Sequence, residues 1–305
     1  MEKELVEQLA ARGVRARIVS IRRLEDLRQA IEGQYRQGLL DERFYQARLA
    51  WYTYSPPDDM PEPRSLLVVG YRDPPVRFTF HWRGQAVEAN VPPTYLHWKE
   101  KDQQVSELLA GVLAQQGHRL TTVAVPKKLL AVCGGLALYG RNNLTYVEGM
   151  GSYHRLAAFC SDLPCEDDDW QAPRMMDLCE RCSACRRACP TGAIARDRFL
   201  LHAERCLTYL NEMPGNVPFP GWLEPSSHNC LVGCMLCQVA CPENRGVLDW
   251  YEPGAEFTEE ETALLLEGPA LQELPATFRA KVERWDPEQW YDGLPRNLRA
   301  VILAK

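Results

Sequence analysis

The chain has 305 residues, a net charge of −6 and an isoelectric point near 5.6, with 46% hydrophobic and 25% charged residues. That is the balance of a globular protein with one large domain, or a medium one with an appendage, and its acidity excludes a chain-wide electrostatic pull toward nucleic acid. No stretch reaches the roughly eighteen apolar residues of a membrane span, and the opening MEKELVEQLAARGV has charges at helical spacing and no apolar signal core, so the expected location is cytoplasmic, with no membrane partner.

In chain order, residues 2–12 predict a short helix, VRARIVSI (14–21) alternates as a strand, and residues 24–40 return to helical spacing. SLLVVGY (65–71) is a continuous apolar run between DDMPEPRS and RDPP, the pattern of a buried strand between breakers. Over 95–117 the apolar residues Val105, Leu108, Leu109, Val112 and Leu113 mark one helix face, and Gly117 supplies the stop. LTTVAVP (120–126) follows as a strand. Alternation of strand and helix over the first 165 residues predicts a layered α/β domain. Near the end, Thr258 and Glu261 stand at capping-box spacing before a leucine run, and WDPEQWYDGLPRNLRAVILAK predicts a short helical finish.

Between these ends the cysteines dictate the reading. Nine of the twelve lie between residues 179 and 241, at metal-ligand gaps and without an export signal, which favours metal over disulfides. Cys179, Cys182, Cys185 and Cys189-Pro190 form C-x2-C-x2-C-x3-C-P, the spacing of two-cluster ferredoxins, in which the fourth cysteine ligates the other cluster. Cys234, Cys237 and Cys241-Pro242 repeat the second half of that motif, so Cys241 returns to the first cluster. Cys189, Cys234 and Cys237 then need one more ligand. Spacing alone leaves Cys206 and Cys230 both open, with Cys230 the closer in sequence. A structural zinc site also uses paired cysteines, but it has no use for two interlocked sets that each end in Cys-Pro. Two [4Fe–4S] clusters are expected, while Cys133, Cys160 and Cys165 read as small buried hydrophobes. Arg181, Arg186 and Arg187 read as solvated charges beside an anionic centre.

Around this cage, GGLALYGRNNLTY, GSYHRLAAFCSDLP, the CPTGAI cysteine motif, ERCLTYLNE, GCMLCQVACPEN and the terminal RNLRAVIL follow one another in order. Together they resemble the epoxyqueuosine reductase family, itself related to reductive dehalogenases. The resemblance implies an α+β protein: a nitroreductase-like α/β domain (1–169) holding base-off cobalamin, a ferredoxin-like double-cluster domain (170–250), and a helical C-terminal extension (251–305). It also implies Cys206 as the eighth ligand. Electrons from a low-potential donor, a ferredoxin or flavodoxin, would pass through the clusters to cobalamin, which would reduce an epoxide on a modified tRNA base. An electron carrier serving a partner such as a corrinoid protein is the alternative.

Glycine lets backbone lie close to a large flat ligand, and with the resemblance this makes Gly134, Gly140, Arg141, Asn142, Gly151 and Ser152 the candidate cobalamin contacts. The family carries an aspartate proposed as general acid, and back-counting places that position at Thr121. Tyr153 and His154, polar where the family is mostly apolar, are the candidate proton donors in its place.

Overall fold

The computed structural model describes residues 2–305. Helix α1 (Glu2–Ala10), strand β1 (Val14–Ser20), helices α2 (Arg23–Arg36) and α3 (Glu42–Arg48) and strand β2 (Ser65–Arg72) come first. A hairpin of β3 (Val76–Trp82) and β4 (Gln85–Val91) follows, then α4 (Trp98–Ala114), β5 (Leu120–Thr122) and α5 (Lys127–Cys133). Next come the two-residue strands β6 (Leu138–Tyr139) and β7 (Thr145–Tyr146), and the long β8 (His154–Ser161). The cysteine region carries the short helices α6 (Leu178–Arg181), α7 (Ala184–Ala188), α8 (Leu207–Asn211) and α9 (Leu236–Val239). The chain closes with β9 (Glu252–Phe257), α10 (Glu259–Glu267), α11 (Ala276–Glu283) and α12 (Leu294–Leu303).

These elements form two compact units. The first takes the chain up to Arg72, Lys99–Ser183 and Arg196–Leu201, and the second takes Asp73–Trp98, Ala184–Ala195 and His202–Lys305. This division differs from the three consecutive segments 1–169, 170–250 and 251–305. The reason is strand pairing: β3 lies parallel to β9, Val76 opposite Glu252 and Phe80 opposite Phe257, so the hairpin belongs with the C-terminal third. The expected helical extension accordingly begins with a strand.

The first unit is built on an antiparallel sheet of order β1-β2-β8-β5. Its central strands are buried along nearly their whole length, β2 as far as Tyr71 and β8 throughout, which explains why SLLVVGY is continuously apolar instead of alternating. Alternate side chains point to opposite faces. Leu67, Val69, Ala157 and Phe159 meet Leu5 and Leu9 of α1 and Val105, Leu109, Val112 and Leu113 of α4. The opposite face, with Val19 and Val68, receives α5: a side chain at Gly134 would lie 3.0 Å from the Leu130 carbonyl and 3.2 Å from Val19.

In the second unit the sheet order is β4-β3-β9. The hairpin turns on Arg83 and Gly84, both at positive φ (51° and 76°), the requirement of a two-residue type I′ turn. Phe78, Phe80 and Phe257 line the inner face, the last two stacked at 4.8 Å, and α10, α11 and α12 cover them with Leu265, Phe278, Val282, Leu298 and Val301. The expected capping box is present: Thr258 Oγ1 accepts from the Glu261 amide, and the Glu261 carboxylate accepts from the Thr258 amide.

Candidate iron–sulfur centre

All twelve cysteines are free thiols. The second predicted ligand set, Cys189, Cys206, Cys234 and Cys237, lies wholly within the second unit. Helices of four or five residues cannot stand alone. Here they act as brackets: Cys206 ends one turn and caps α8, Cys237 lies within α9, and Cys241 precedes the Pro242 turn as its cap. Burial pushes the Cys206 thiol up, with Cys189 adding to the shift, and pushes Cys234 up to about 11, with Cys206 and Cys189 as its thiol neighbours. Cys206 and Cys234 each feel Cys189 in this way, and a bound cation would act against both shifts by stabilising the thiolates.

Cys230 sits differently. It is fully enclosed, its thiol donates to Asn229 Oδ1 at 3.0 Å, and burial holds it well above the usual thiol range. Asn229 also donates from Nδ2 to Cys234 Sγ at 3.4 Å and accepts from the Met235 amide at 3.1 Å. Sequence reading missed Asn229. Its one signal is a polar residue just ahead of the buried run CLVG.

The first cysteines meet the glycine-containing loop. The Arg141 amide donates to Cys179 Sγ at 3.4 Å, and its guanidinium donates to the carbonyls of Cys179 and Cys182, from Nε at 3.2 and 3.3 Å. Arg141, expected as a cobalamin contact, is therefore a clasp on the ligand loop within the first unit. Asn142 is buried and spent locally, donating to Tyr146 OH at 3.0 Å and accepting from the Leu144 amide. A side chain at Gly140 would come within 2.5 Å of Asn142 and Tyr146. Gly134 and Gly140 thus lack side chains because their own unit fills the space. The turn between β7 and β8 is different. A methyl group added at Gly149 (φ 77°) would meet nothing within 4 Å, while Gly151 also has positive φ (53°) and Met150 and Ser152 on either side of it are buried.

The two proton-donor candidates hold that turn. Tyr153 is fully buried. His154 bonds Gly151 O from Nδ1 and Thr145 Oγ1 from Nε2, each at 3.0 Å. A carbonyl only accepts, so Nδ1 carries the hydrogen. Arg155, next in line, is buried and grips Asp102 of α4 through Nε and NH2 at 2.6 and 2.7 Å, and Tyr71 OH donates to the same carboxylate at 2.7 Å. Burial acts to raise Asp102, but Arg155 and Tyr71 outweigh it and hold the carboxyl below its ordinary value. Thr121 donates its hydroxyl to the exposed Asp59 at 2.8 Å, so residue 59 supplies a carboxylate there.

Residues 178–244, which contain every predicted ligand, match the 4Fe-4S double cluster binding domain. Two [4Fe–4S] clusters are the cofactors of this region. The curated epoxyqueuosine reductase of Pseudomonas aeruginosa is 34% identical over 151 residues, 48% of this chain and 40% of that protein. The one from Cyclobacterium marinum is 37% identical over 124 residues, 40% of this chain and 37% of that protein. Over these stretches the chain is similar to curated epoxyqueuosine reductases. The aligned stretch spans about two fifths of the length of these curated relatives. The fold agrees over a longer span. A Bacillus subtilis epoxyqueuosine reductase structure superposes with a TM-score of 0.68 at 20% identity, covering 99% of this chain and 81% of that one. The Streptococcus thermophilus structure gives 0.68 at 18% identity, covering 100% and 81%, and an epoxyqueuosine reductase solved with a modified tRNA-Tyr stem loop gives 0.68 at 20%, covering 99% and 81%. Among the described residues no helix is long and apolar enough to cross a membrane.

Proposed function

We propose that the chain is an iron–sulfur reductase of the epoxyqueuosine reductase kind, working with cobalamin on a nucleoside carried by tRNA in the cytoplasm. The observation that carries this reading is the double-cluster match at 178–244 in a chain 34% identical over 151 residues to an epoxyqueuosine reductase. In the ligand assignment, Cys179, Cys182, Cys185 and Cys241 hold one cluster and Cys189, Cys206, Cys234 and Cys237 the other. The influence of Cys189 on Cys206 supports Cys206; Cys230 is influenced by Cys234 and Cys237, and its hydrogen bond to Asn229 is what supports leaving that thiol out. Arg141 keeps the Cys179–Cys182 loop in place, and its amide bond to Cys179 Sγ stabilises the thiolate.

Gly149 (φ 77°), exposed and with open space where a side chain would stand, supports placing a large planar ligand beside residues 149–152. Cobalamin held there would supply a strongly reducing cobalt centre, with a ferredoxin or flavodoxin as the source of electrons for the clusters. Reduction of an epoxide to an alkene takes two electrons and two protons and releases water. The protein's task is therefore proton supply as well as binding. Tyr153 and His154 are the nearest candidates in sequence, and His154 can give up its Nδ1 proton only by releasing Gly151. Asp59, hydrogen-bonded to Thr121, offers a carboxylate where the family carries one.

The test is turnover of an epoxyqueuosine-containing tRNA stem loop by anaerobically purified, cobalamin-supplied protein with reduced flavodoxin. Product formation that falls in His154→Gln or Asp59→Asn, with iron content unchanged, supports the reading. Bound clusters without turnover and without affinity for any corrinoid would leave the electron carrier, which the threonine at position 121 favours.

A further inference from the structure

Away from the cysteines, the first unit contains a half-open cavity of about 600 Å³, inside the usual range of small-molecule sites. Its walls come from α2, α3, the start of α5 and the segments around Tyr139, Met175 and Phe199, all within that unit. Two features set its chemistry. Aromatic faces dominate: Tyr52 with Trp51 at 4.7 Å, and Tyr139 with Phe199 at 5.1 Å. The charged lining is Lys127, Lys128 and Arg174, with no carboxylate among the described lining residues.

The charge is not neutralised from behind. Asp102 is the acid closest in influence to Lys127, but Arg155 and Tyr71 already occupy its oxygens. Lys128 donates to the Asn143 carbonyl at 3.1 Å, whereas Lys127 is held by burial among its neighbours. Burial lowers Lys127, and the Arg155 charge adds to this against the pull of Asp102. An anion beside Lys127 relieves both costs. Aromatic faces stack planar rings regardless of ring identity, and Gln34 and Asn143 in the lining add amide groups able to pair with a ring edge.

We infer that this cavity is a mononucleotide site, with a heteroaromatic ring against Tyr52 and Tyr139 and a phosphate on Lys127. The site itself is argued independently of the reductase reading, and only its assignment to a cobalamin arm rests on that reading. The same chemistry has two sources, a free nucleotide or the nucleotide arm of a cobalamin, and the experiment separates them.

The experiment is calorimetric titration of the full, cluster-loaded chain with 5′-AMP, adenosine and inorganic phosphate. Saturable AMP binding is expected, at least about tenfold tighter than adenosine, since a charge-assisted bond to phosphate is worth that much. Lys127→Gln should weaken AMP about tenfold and leave adenosine unchanged. Trp51→Ala, at the exposed rim, keeps the test decisive if Lys127→Gln does not fold, and should weaken AMP and adenosine alike. Competition by hydroxocobalamin but not by cobinamide, which lacks the nucleotide arm, assigns the site to the cofactor's arm. Indifference to both assigns it to a free nucleotide. Equal affinity for AMP and adenosine, no AMP binding at millimolar concentration, or no effect of Lys127→Gln in a folded variant overturns the inference.

Discussion

The sheet of the first unit and the cysteine segments of the second are held together by different physics. In the first, β2 and β8 are apolar on both faces, and α1, α4 and α5 close over them. Each buried leucine contributes a few kcal/mol, and the assembly needs no ligand. The cysteine segments have helices of four and five residues, a small apolar cluster of Leu207, Leu210 and Leu223, and Leu231 and Val232 packed into the core under β3 and β4. The ligand loops between these anchors have no sheet of their own, and bound metal is expected to supply much of their order. A protein that uses both devices can be broken in one place and left intact in the other.

The largest expected effect is on the cysteine segments. Removing iron with a chelator should abolish protease resistance across residues 184–250 while β1-β2-β8-β5 keeps its far-ultraviolet signal, read by limited proteolysis with mass spectrometry and circular dichroism. Simultaneous loss of both would mean that the sheet too depends on metal. In the converse experiment, Leu109→Ala leaves a cavity under the first sheet and should destabilise that unit by about 2–5 kcal/mol in chemical denaturation, with iron content unchanged.

Next in size is the buried pair between Asp102 and Arg155. Removing one partner strands a charge, and Asp102→Asn should cost about 3 kcal/mol. The folded-state pKa of Asp102 lies below its ordinary value, so the pair contributes fully above that ordinary value, near 4. The contribution is lost as pH falls through the depressed folded value. Stability measured from pH 6 to pH 3 should therefore fall less steeply in Asp102→Asn than in the parent. Equal slopes would remove Asp102 from the acid response.

Arg141→Gln should act on the cysteine side alone. The amide bond to Cys179 survives, but the grip on the Cys179 and Cys182 carbonyls is lost, and iron release to a chelator should quicken about tenfold, the lower end for residues that orient metal ligands. The smallest effect is at the C-terminal capping box, where Thr258→Ala should cost about 1 kcal/mol and touch neither iron nor the first sheet.

The same contrast governs what could be read in advance. Ligand geometry demands fixed spacings, so Cys179 to Cys189 and Cys234 to Cys241 are visible in the chain as written. The buried strands and the 98–114 helix are visible because continuous and 3.6-residue apolar patterns have one reading each. The β3–β4 hairpin was missed although VRFTFHW and QAVEANV alternate plainly, because its turn is Arg83-Gly84 instead of the usual Asn-Gly, and Arg83 gives no sign of its positive φ. Its transfer to the second unit depends on pairing with β9, some 175 residues further on, which no local pattern records. Asn229 and Asp102, and the grip of Arg141 on the Cys179–Cys182 loop, escaped for a related reason. Each acts through a partner that only the fold brings near, just as the close packing at Gly134 and Gly140 cannot be told in sequence from a glycine facing a ligand.

The ligand assignment is the point on which the rest depends, and one measurement reaches it most directly: iron and sulfide analysis with electron paramagnetic resonance of the anaerobically purified parent, Cys206→Ser and Cys230→Ala. The parent should hold about eight irons as two [4Fe–4S] clusters, Cys206→Ser should lose or alter the signal of one cluster, and Cys230→Ala should match the parent in both content and spectrum. An intact pair of clusters in Cys206→Ser together with a damaged one in Cys230→Ala would contradict the assignment.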